Sequence, residues 1–214
     1  KKVDDWNRFN ENTGGTLVEK CCHFFDLMCF ILQSEPKKIY CSGAQDVNHL
    51  DEIYNGQVPD ILDNAFVVVD FSSGQRALLE LNMFADGSRF QESIVVVGSK
   101  AKVECKIPGP TRFWPKDSLG ESPVPILTLS PRKPKSPKTL EIPIDTKLLE
   151  AGDHNGSTFY QHERFARVLR GEQKVEVTLQ DGINAVLMGL AAQHSIKTGK
   201  AINLMEGDYR IYRF

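Results

Sequence analysis

Three titratable residues, Glu19, His23 and Asp26, fall in a run, Thr16–Gln33, that is otherwise almost wholly apolar or cysteine. At 100° per residue they lie within about 60° of one another on a helix, with Thr16 on the same edge. Glu19 and His23 are spaced i, i+4, and His23 and Asp26 i, i+3, so each carboxylate can reach the imidazole. A flanking carboxylate fixes the tautomer of a histidine and stabilises its protonated form, which a general base working near neutral pH requires. A helix apolar nearly all round is expected to be buried, with one narrow polar stripe whose titratable groups must be paired or functional. Two other readings stay open on spacing alone. One is a core histidine satisfied by local ion pairs. The other is a metal-binding E-x3-H-x2-D set, although it lacks a second histidine at a familiar spacing.

The elements around this helix can be read in order. Gly14-Gly15 precedes it and Glu35-Pro36 stops it. Lys37–Ala44 reads as a strand and Asp46–Asp60 as a polar, irregular excursion. Four β-rich runs follow, Asn64–Ser72, Gln75–Phe84, Phe90–Gly98 and Ala101–Ile107, with tight turns at Ser73-Gly74 and Ser99-Lys100, so a meander of antiparallel strands is expected. Within it Val67 and Val69 should face one side, and Phe66, Val68 and Asp70 the other. Pro108–Pro137 holds eight of the eleven prolines and reads as a solvated loop interrupted by a short strand, Pro125–Ser130. Arg112 and Trp114, in that loop, are expected to pack peripherally. Lys138–Ile144 resumes as a strand. Thr158–Leu169 reads as a helix with Phe159, Phe165, Ala166 and Leu169 inward. Gln180–Thr198 reads as a helix opened by a Thr178–Asp181 capping box, with Ile183, Val186, Leu187, Leu190 and Ala191 as its core stripe. Ala201–Leu204 is expected as an edge strand. This order predicts an α+β fold over residues 1–214: a mostly antiparallel open sheet with helices packed on one face, forming a single domain.

The chain has 214 residues, 41% hydrophobic and 25% charged, with a net charge of −2. Such a composition excludes a disordered or fibrous chain and gives no electrostatic pull toward nucleic acid or anionic lipid. The most apolar window is broken by Glu19, Lys20, His23 and Asp26, so no membrane span is expected. Lys1–Gly15 is polar and carries no apolar signal region, and none of the five cysteines forms a paired C-x-x-C pattern. Reduced thiols and a cytoplasmic location are the expectation. No G-x-G-x-x-G or G-x-x-x-x-G-K-[ST] loop occurs. The chain opens at Lys1 and not at Met, which suits a processed or trimmed chain or a piece of a longer one.

The segment Gly14-Gly15-Thr16-Leu17-Val18-Glu19-Lys20-Cys21-Cys22-His23-Phe24-Phe25-Asp26 resembles the G-G-x-L-x-[DE]-x-x-x-H-x-x-D signature of the glucose–fructose oxidoreductase/inositol dehydrogenase/rhizopine catabolism (Gfo/Idh/MocA) family. Weaker matches follow in order: Glu35-Pro36, Asp63-Asn64-Ala65, Phe71-Ser72-Ser73-Gly74, Val97-Gly98-Ser99-Lys100-Ala101 and His154-Asn155-Gly156-Ser157. The resemblance implies a dihydrodipicolinate-reductase-like C-terminal domain, without the N-terminal Rossmann domain. That domain would supply most of the NAD or NADP site, so no cofactor-binding residue or metal ligand is assigned here. It implies the substrate domain of an NAD(P)-dependent oxidoreductase acting on a sugar, cyclitol or related hydroxy compound, and a homo-oligomer formed through the sheet. By the same resemblance His23 is the acid/base on the substrate hydroxyl. Glu19, where many members have Asp, orients substrate or histidine, and Asp26 is its partner or structural. Lys20, His154 and Asp26 are the expected substrate-binding residues. The family's catalytic lysine lies in a Lys-Pro motif that Lys1, Lys2 and Lys20 do not match. The alternatives are a non-catalytic binding or dimerisation module, or an NAD-dependent lyase or glycosidase.

Overall fold

The computed structural model describes residues 3–204. A 3-10 turn (Val3–Arg8) leads into α1 (Asn10–Thr13), α2 (Thr16–Glu19) and α3 (Cys22–Leu32). Strands β1 (Pro36–Ala44), β2 (Asn64–Phe71), β3 (Arg76–Asn82), β4 (Glu92–Val97) and β5 (Ala101–Ile107) follow. Then come α4 (Lys116–Leu119), β6 (Ile126–Pro131), β7 (Lys138–Glu141), α5 (Thr146–Ala151), α6 (Ser157–Leu169), α7 (Leu179–Thr198) and β8 (Ile202–Asn203). The described residues divide into two compact units, 3–85 with 176–204, and Asp86–Val175.

The α+β class and the antiparallel pairing agree with the sequence, but the strands build two four-stranded sheets. The first unit holds the order β3-β2-β1-β8 and the second β4-β5-β6-β7. Both expected hairpins form, β2–β3 across Ser73-Gly74 and β4–β5 across Ser99-Lys100. The meander breaks between β3 and β4, where a long connection with Asp86-Gly87 replaces a two-residue turn and releases the strands from pairing.

In the first unit the alternation of β2 is as the sequence requires. Val67 and Val69 are inaccessible, and Phe66 and Val68 are exposed. Opposite them, Ile39 and Cys41 of β1 and Leu79 of β3 are buried. They pack with Leu17, Cys21, Phe25, Met188 and Ala192 into one core. Each fully buried large apolar side chain there contributes about 1.5–3 kcal/mol. Ser195, also buried, ties α7 to the sheet: its hydroxyl accepts from the Cys41 amide (2.9 Å) and donates to the Lys200 carbonyl (2.7 Å).

Helix α7 begins with the expected capping box. Thr178 Oγ1 accepts from the Asp181 amide and the Asp181 carboxylate accepts from the Thr178 amide (2.7 Å). The Thr178 hydroxyl (2.6 Å), and after it the Thr178 amide, donate to the Asp181 carboxyl and hold it below its ordinary range. Its inner face is only partly the predicted one. Ala191 is buried as expected, with Ala185, Met188, Gly189, Ala192 and Ser195, while Leu187 and Leu190 are half-buried and Ile183 and Val186 are exposed. The helix is apolar around most of its girth, so hydrophobicity did not select the face. Backbone approach did. A Cβ on Gly189 would lie 2.6 Å from the Leu17 carbonyl oxygen and 3.0 Å from Val18 Cγ2. Gly189→Ala is therefore expected to force α7 off α2 and cost about 1–3 kcal/mol, read in a thermal or denaturant melt.

The same crossing marks where the predicted single helix 16–33 is interrupted. It is two helices joined by a turn at Lys20-Cys21. In a continuous helix the Leu17 carbonyl would accept from residue 21, and this carbonyl is where α7 presses closest. Nor is the run buried all round. Leu17, Cys21 and Phe25 are inaccessible, but Phe30 is 69% exposed and His23 is exposed.

In the second unit, α6 has no buried residue, and Phe159, Phe165 and Leu169, expected inward, are exposed. The pattern marked an apolar stripe correctly but not what lies against it. Trp114 Nε1 donates to the Gly120 carbonyl (2.9 Å), and Arg112 pairs with Asp153 (2.7 Å).

Candidate functional site

The glycine pair of the signature does two separate jobs. Gly14 ends α1 at φ +75°, and Gly15 opens α2 at φ +94°, conformations that side chains disfavour. A Cβ on Gly15 would also overlap Gln193 Nε2 on α7. With this turn set, Thr16 Oγ1 donates to the Leu62 carbonyl (2.7 Å), and α2 is fastened to the excursion that follows β1.

That excursion is irregular but firmly held. Asn10 donates from its amide to Asp60 Oδ1 (2.7 Å) and from Nδ2 to the Asp60 carbonyl (2.6 Å). Asp63, 2% exposed, accepts from the consecutive amides of Asp46, Val47 and Asn48, at 2.7 Å for the last two, and from Asn64 Nδ2 (2.9 Å). Burial opposes its ionisation, but these donors outweigh it and hold the carboxyl below the ordinary value of 3.8. The Asp63-Asn64-Ala65 match thus has a physical role as the anchor of the loop.

Between the N-terminal helices and this loop lies a small pocket within the first unit. It is lined by Asn7, Arg8, Thr13, Thr16, Glu19, Lys20, His49, Ile61 and Met83. Glu19 and Lys20 pair across its wall at 2.9 Å. Behind the wall stands Glu52. Its Oε1 contacts His49 Nδ1 (2.9 Å), while Oε2 accepts from Tyr54 Oη (2.8 Å) and Arg8 Nε (3.0 Å). The hydrogen bonds from His49, then Tyr54 and Arg8, bring the Glu52 carboxyl down to about 2. The bond to Glu52 raises the Tyr54 phenol in turn.

The five residues singled out from the sequence are placed differently. Glu19 and Lys20 line the pocket. His23 lies on the first turn of α3, exposed, its ring against Phe24 at 4.0 Å between centroids, and it does not line the pocket. Asp26 follows one turn on, half-buried. Burial first, and the charge of Asp181 second, push its carboxyl up. His154 is in the second unit, exposed. With Asn155 and Gly156 it forms a run of positive φ (+62°, +53°, +86°) that turns the chain into α6. Lys1 and Lys2 lie outside the described residues. Arg8, His49, Glu52 and Tyr54 were not found by sequence reasoning. The one available signal was the His49-x-x-Glu52 spacing inside a loop too long to be a mere connection.

The described residues do not form a dinucleotide cradle. Every strand pair is antiparallel. The glycine pair opens a helix of four residues only, and the Gly15 amide is bonded to Thr13 Oγ1 (3.0 Å). Among the described residues no three His, Cys, Asp or Glu side chains are grouped to hold a metal ion, and no helix is long and apolar enough to cross a membrane.

Comparison with known proteins gives a consistent picture. No curated protein sequence matches the chain. Solved structures do. Aldose-aldose oxidoreductase from Caulobacter crescentus, crystallised with glycerol, superposes with a TM-score of 0.63 at 12% identity, covering 95% of this chain and 52% of that one. A candidate NADPH-dependent oxidoreductase from Desulfitobacterium hafniense gives 0.62 at 18% identity, over 94% and 52%. GenD2 of gentamicin A biosynthesis, in complex with NAD, gives 0.56 at 14% identity, over 94% and 51%. The likeness is one of fold, and the chain spans about half the length of these relatives. The family model described as "Oxidoreductase family, C-terminal alpha/beta domain" matches residues 1–204, and the chain belongs to that family, the C-terminal domain of the Gfo/Idh/MocA oxidoreductases.

Proposed function

We propose that this chain is the substrate-side domain of an NAD(P)-dependent oxidoreductase acting on a sugar, cyclitol or related hydroxy compound. The observation that carries the reading is the pocket. It sets Asn7, Arg8 and the Glu19–Lys20 pair around one small opening, donors and acceptors of the kind that meet a hydroxyl group, while the Thr16 and Thr13 hydroxyls are spent on the Leu62 and Phe9 carbonyls. Two of the fold relatives support the substrate and cofactor classes, one being an aldose oxidoreductase and another an NAD complex. The nicotinamide would supply hydride chemistry from outside the residues described here. This chain's own part is to bind and orient hydroxyls at Glu19 and Lys20 and to move a proton at His23, which is exposed at the start of α3; Asp26 supports that helix. The five cysteines are free thiols, with Cys21 and Cys41 pushed up to about 12 by burial, which suits a reducing cytoplasm. Product analysis tests the reading. A ketone or lactone formed with one equivalent of reduced cofactor supports it. A product at the same oxidation level as the substrate would replace it with the lyase or glycosidase reading.

The proposal includes self-association through the open face of the first sheet. Tyr40, Val68 and Leu78 stand in one row across β1, β2 and β3, with Phe66 beside them, and all four are exposed. Such a patch on a three-strand face calls for cover. The next row, Lys38–Asp70–Arg76, is charged, with Lys38 and Asp70 at 2.8 Å. Leu78→Asp is expected to convert an oligomer into a monomer in light scattering while leaving circular dichroism unchanged. A wild-type chain that is already monomeric removes this part of the proposal.

A further inference from the structure

His49 is arranged as an oriented acceptor, and no sequence motif assigns it a role. Its backbone sits at φ +62°, a region that residues other than glycine seldom occupy and that recurs at functional sites. The amides of Val47 and Asn48 just before it hang on Asp63, and Asn48 Nδ2 donates to the Met83 carbonyl (2.8 Å), so the loop presents the imidazole from a fixed base. Glu52 takes hydrogen bonds on both oxygens, from Arg8 and Tyr54 as well as from the imidazole. A carboxylate so surrounded by donors is ionised and has no proton to give, so the contact at Nδ1 requires Nδ1–H. In the neutral ring that leaves the lone pair on Nε2, and His49 is one of the residues that line the pocket. The charged groups around it are Arg8 and Glu52 behind, and the Glu19–Lys20 pair on α2.

We propose that His49, locked by Glu52 as the Nδ1–H tautomer, is a substrate-binding residue whose Nε2 accepts a hydrogen bond from a hydroxyl of a polyhydroxylated ligand in the pocket of Thr16, Glu19 and Lys20. No proton is transferred in this step. The ligand class rests on the proposed function; the tautomer does not.

Nitrogen-15 NMR of the histidine rings in the full chain tests it, with His49→Gln used for assignment. The expected spectrum of the neutral ring has a pyrrole-like Nδ1 and a pyridine-like Nε2 for His49. In Glu52→Ala the ring is expected to relax toward Nε2–H. Titration with myo-inositol should move Nε2 more than Nδ1, and His49→Gln should weaken inositol binding roughly two- to tenfold, read at the Lys20 amide. An Nε2–H tautomer in the wild type overturns the inference, as does an Nε2 that inositol leaves unmoved. In that last case the Lys20 amide separates two failures. If it moves, the pocket binds polyols without His49; if it stays, the polyol reading of the pocket falls as well.

Discussion

On the proposed function, His23→Asn is expected to lower turnover about 10²–10⁴-fold, equivalent to roughly 3–5 kcal/mol of transition-state stabilisation, with little change in melting temperature. The two readouts separate because of where the side chain lies. A buried histidine would cost stability on replacement, but His23 is exposed on the first turn of α3. Exposed substitutions usually fall within about 0.5 kcal/mol. Glu19→Gln is expected to slow turnover by less. It leaves the proton carrier in place and removes the charge that pairs with Lys20 at 2.9 Å. Steady-state kinetics beside a thermal melt checks both. Wild-type turnover of His23→Asn in the folded fraction would remove His23 from the proposed chemistry and leave Glu19 and Lys20 as the substrate-facing groups of this helix.

The largest stability effect is expected at Asp63. Asp63→Ala removes the acceptor for three consecutive backbone amides and the Asn64 side chain at a site 2% exposed. Each orphaned, part-buried donor costs on the order of 1 kcal/mol, and together they make a total of about 3–5 kcal/mol. Denaturant melts read the loss, and amide exchange at residues 46–49 should accelerate most. A pH dependence follows with a definite sign. The folded pKa of Asp63 is depressed, so its contribution is complete above its unfolded value near 4 and fades as pH falls through the lower folded value. Glu52, at about 2 in the fold, acts in the same direction. Acidification from about pH 5 to pH 2 is thus expected to destabilise the wild type more than Asp63→Ala.

Much of this fold could be read from residue order, and the exceptions share a cause. Alternation in β2 separated Val67 and Val69 from Phe66 and Val68 correctly, because a strand has only two faces; which of the two carries the core came from the structure. The Thr178–Asp181 cap was legible because it is local. The inward face of α7 was legible only in part, through Ala191. Ile183 and Val186 are more hydrophobic than Ala185 or Gly189, yet the helix turns its small residues in because its backbone must meet Leu17. That requirement belongs to the partner helix and leaves no periodic trace. The break at Lys20-Cys21 was hidden for the same reason. At the site, Glu19 and Lys20 were found through the signature. Arg8, His49 and Glu52 come together only once Asp63 and Asp60 fold the 46–63 loop back on the N-terminal helices. Long-range bonds of that kind cannot be seen in spacing.

The central claim, that this domain presents a hydroxylated substrate for nicotinamide-dependent oxidation, is tested most directly by isotope transfer. The full-length enzyme is given a sugar or cyclitol deuterated at its carbinol carbons, together with NAD or NADP, and the recovered cofactor is analysed by mass spectrometry and proton NMR. The account predicts deuterium at C4 of the reduced nicotinamide in step with formation of the oxidised product. Turnover of the substrate with no deuterium ever reaching the nicotinamide would contradict it.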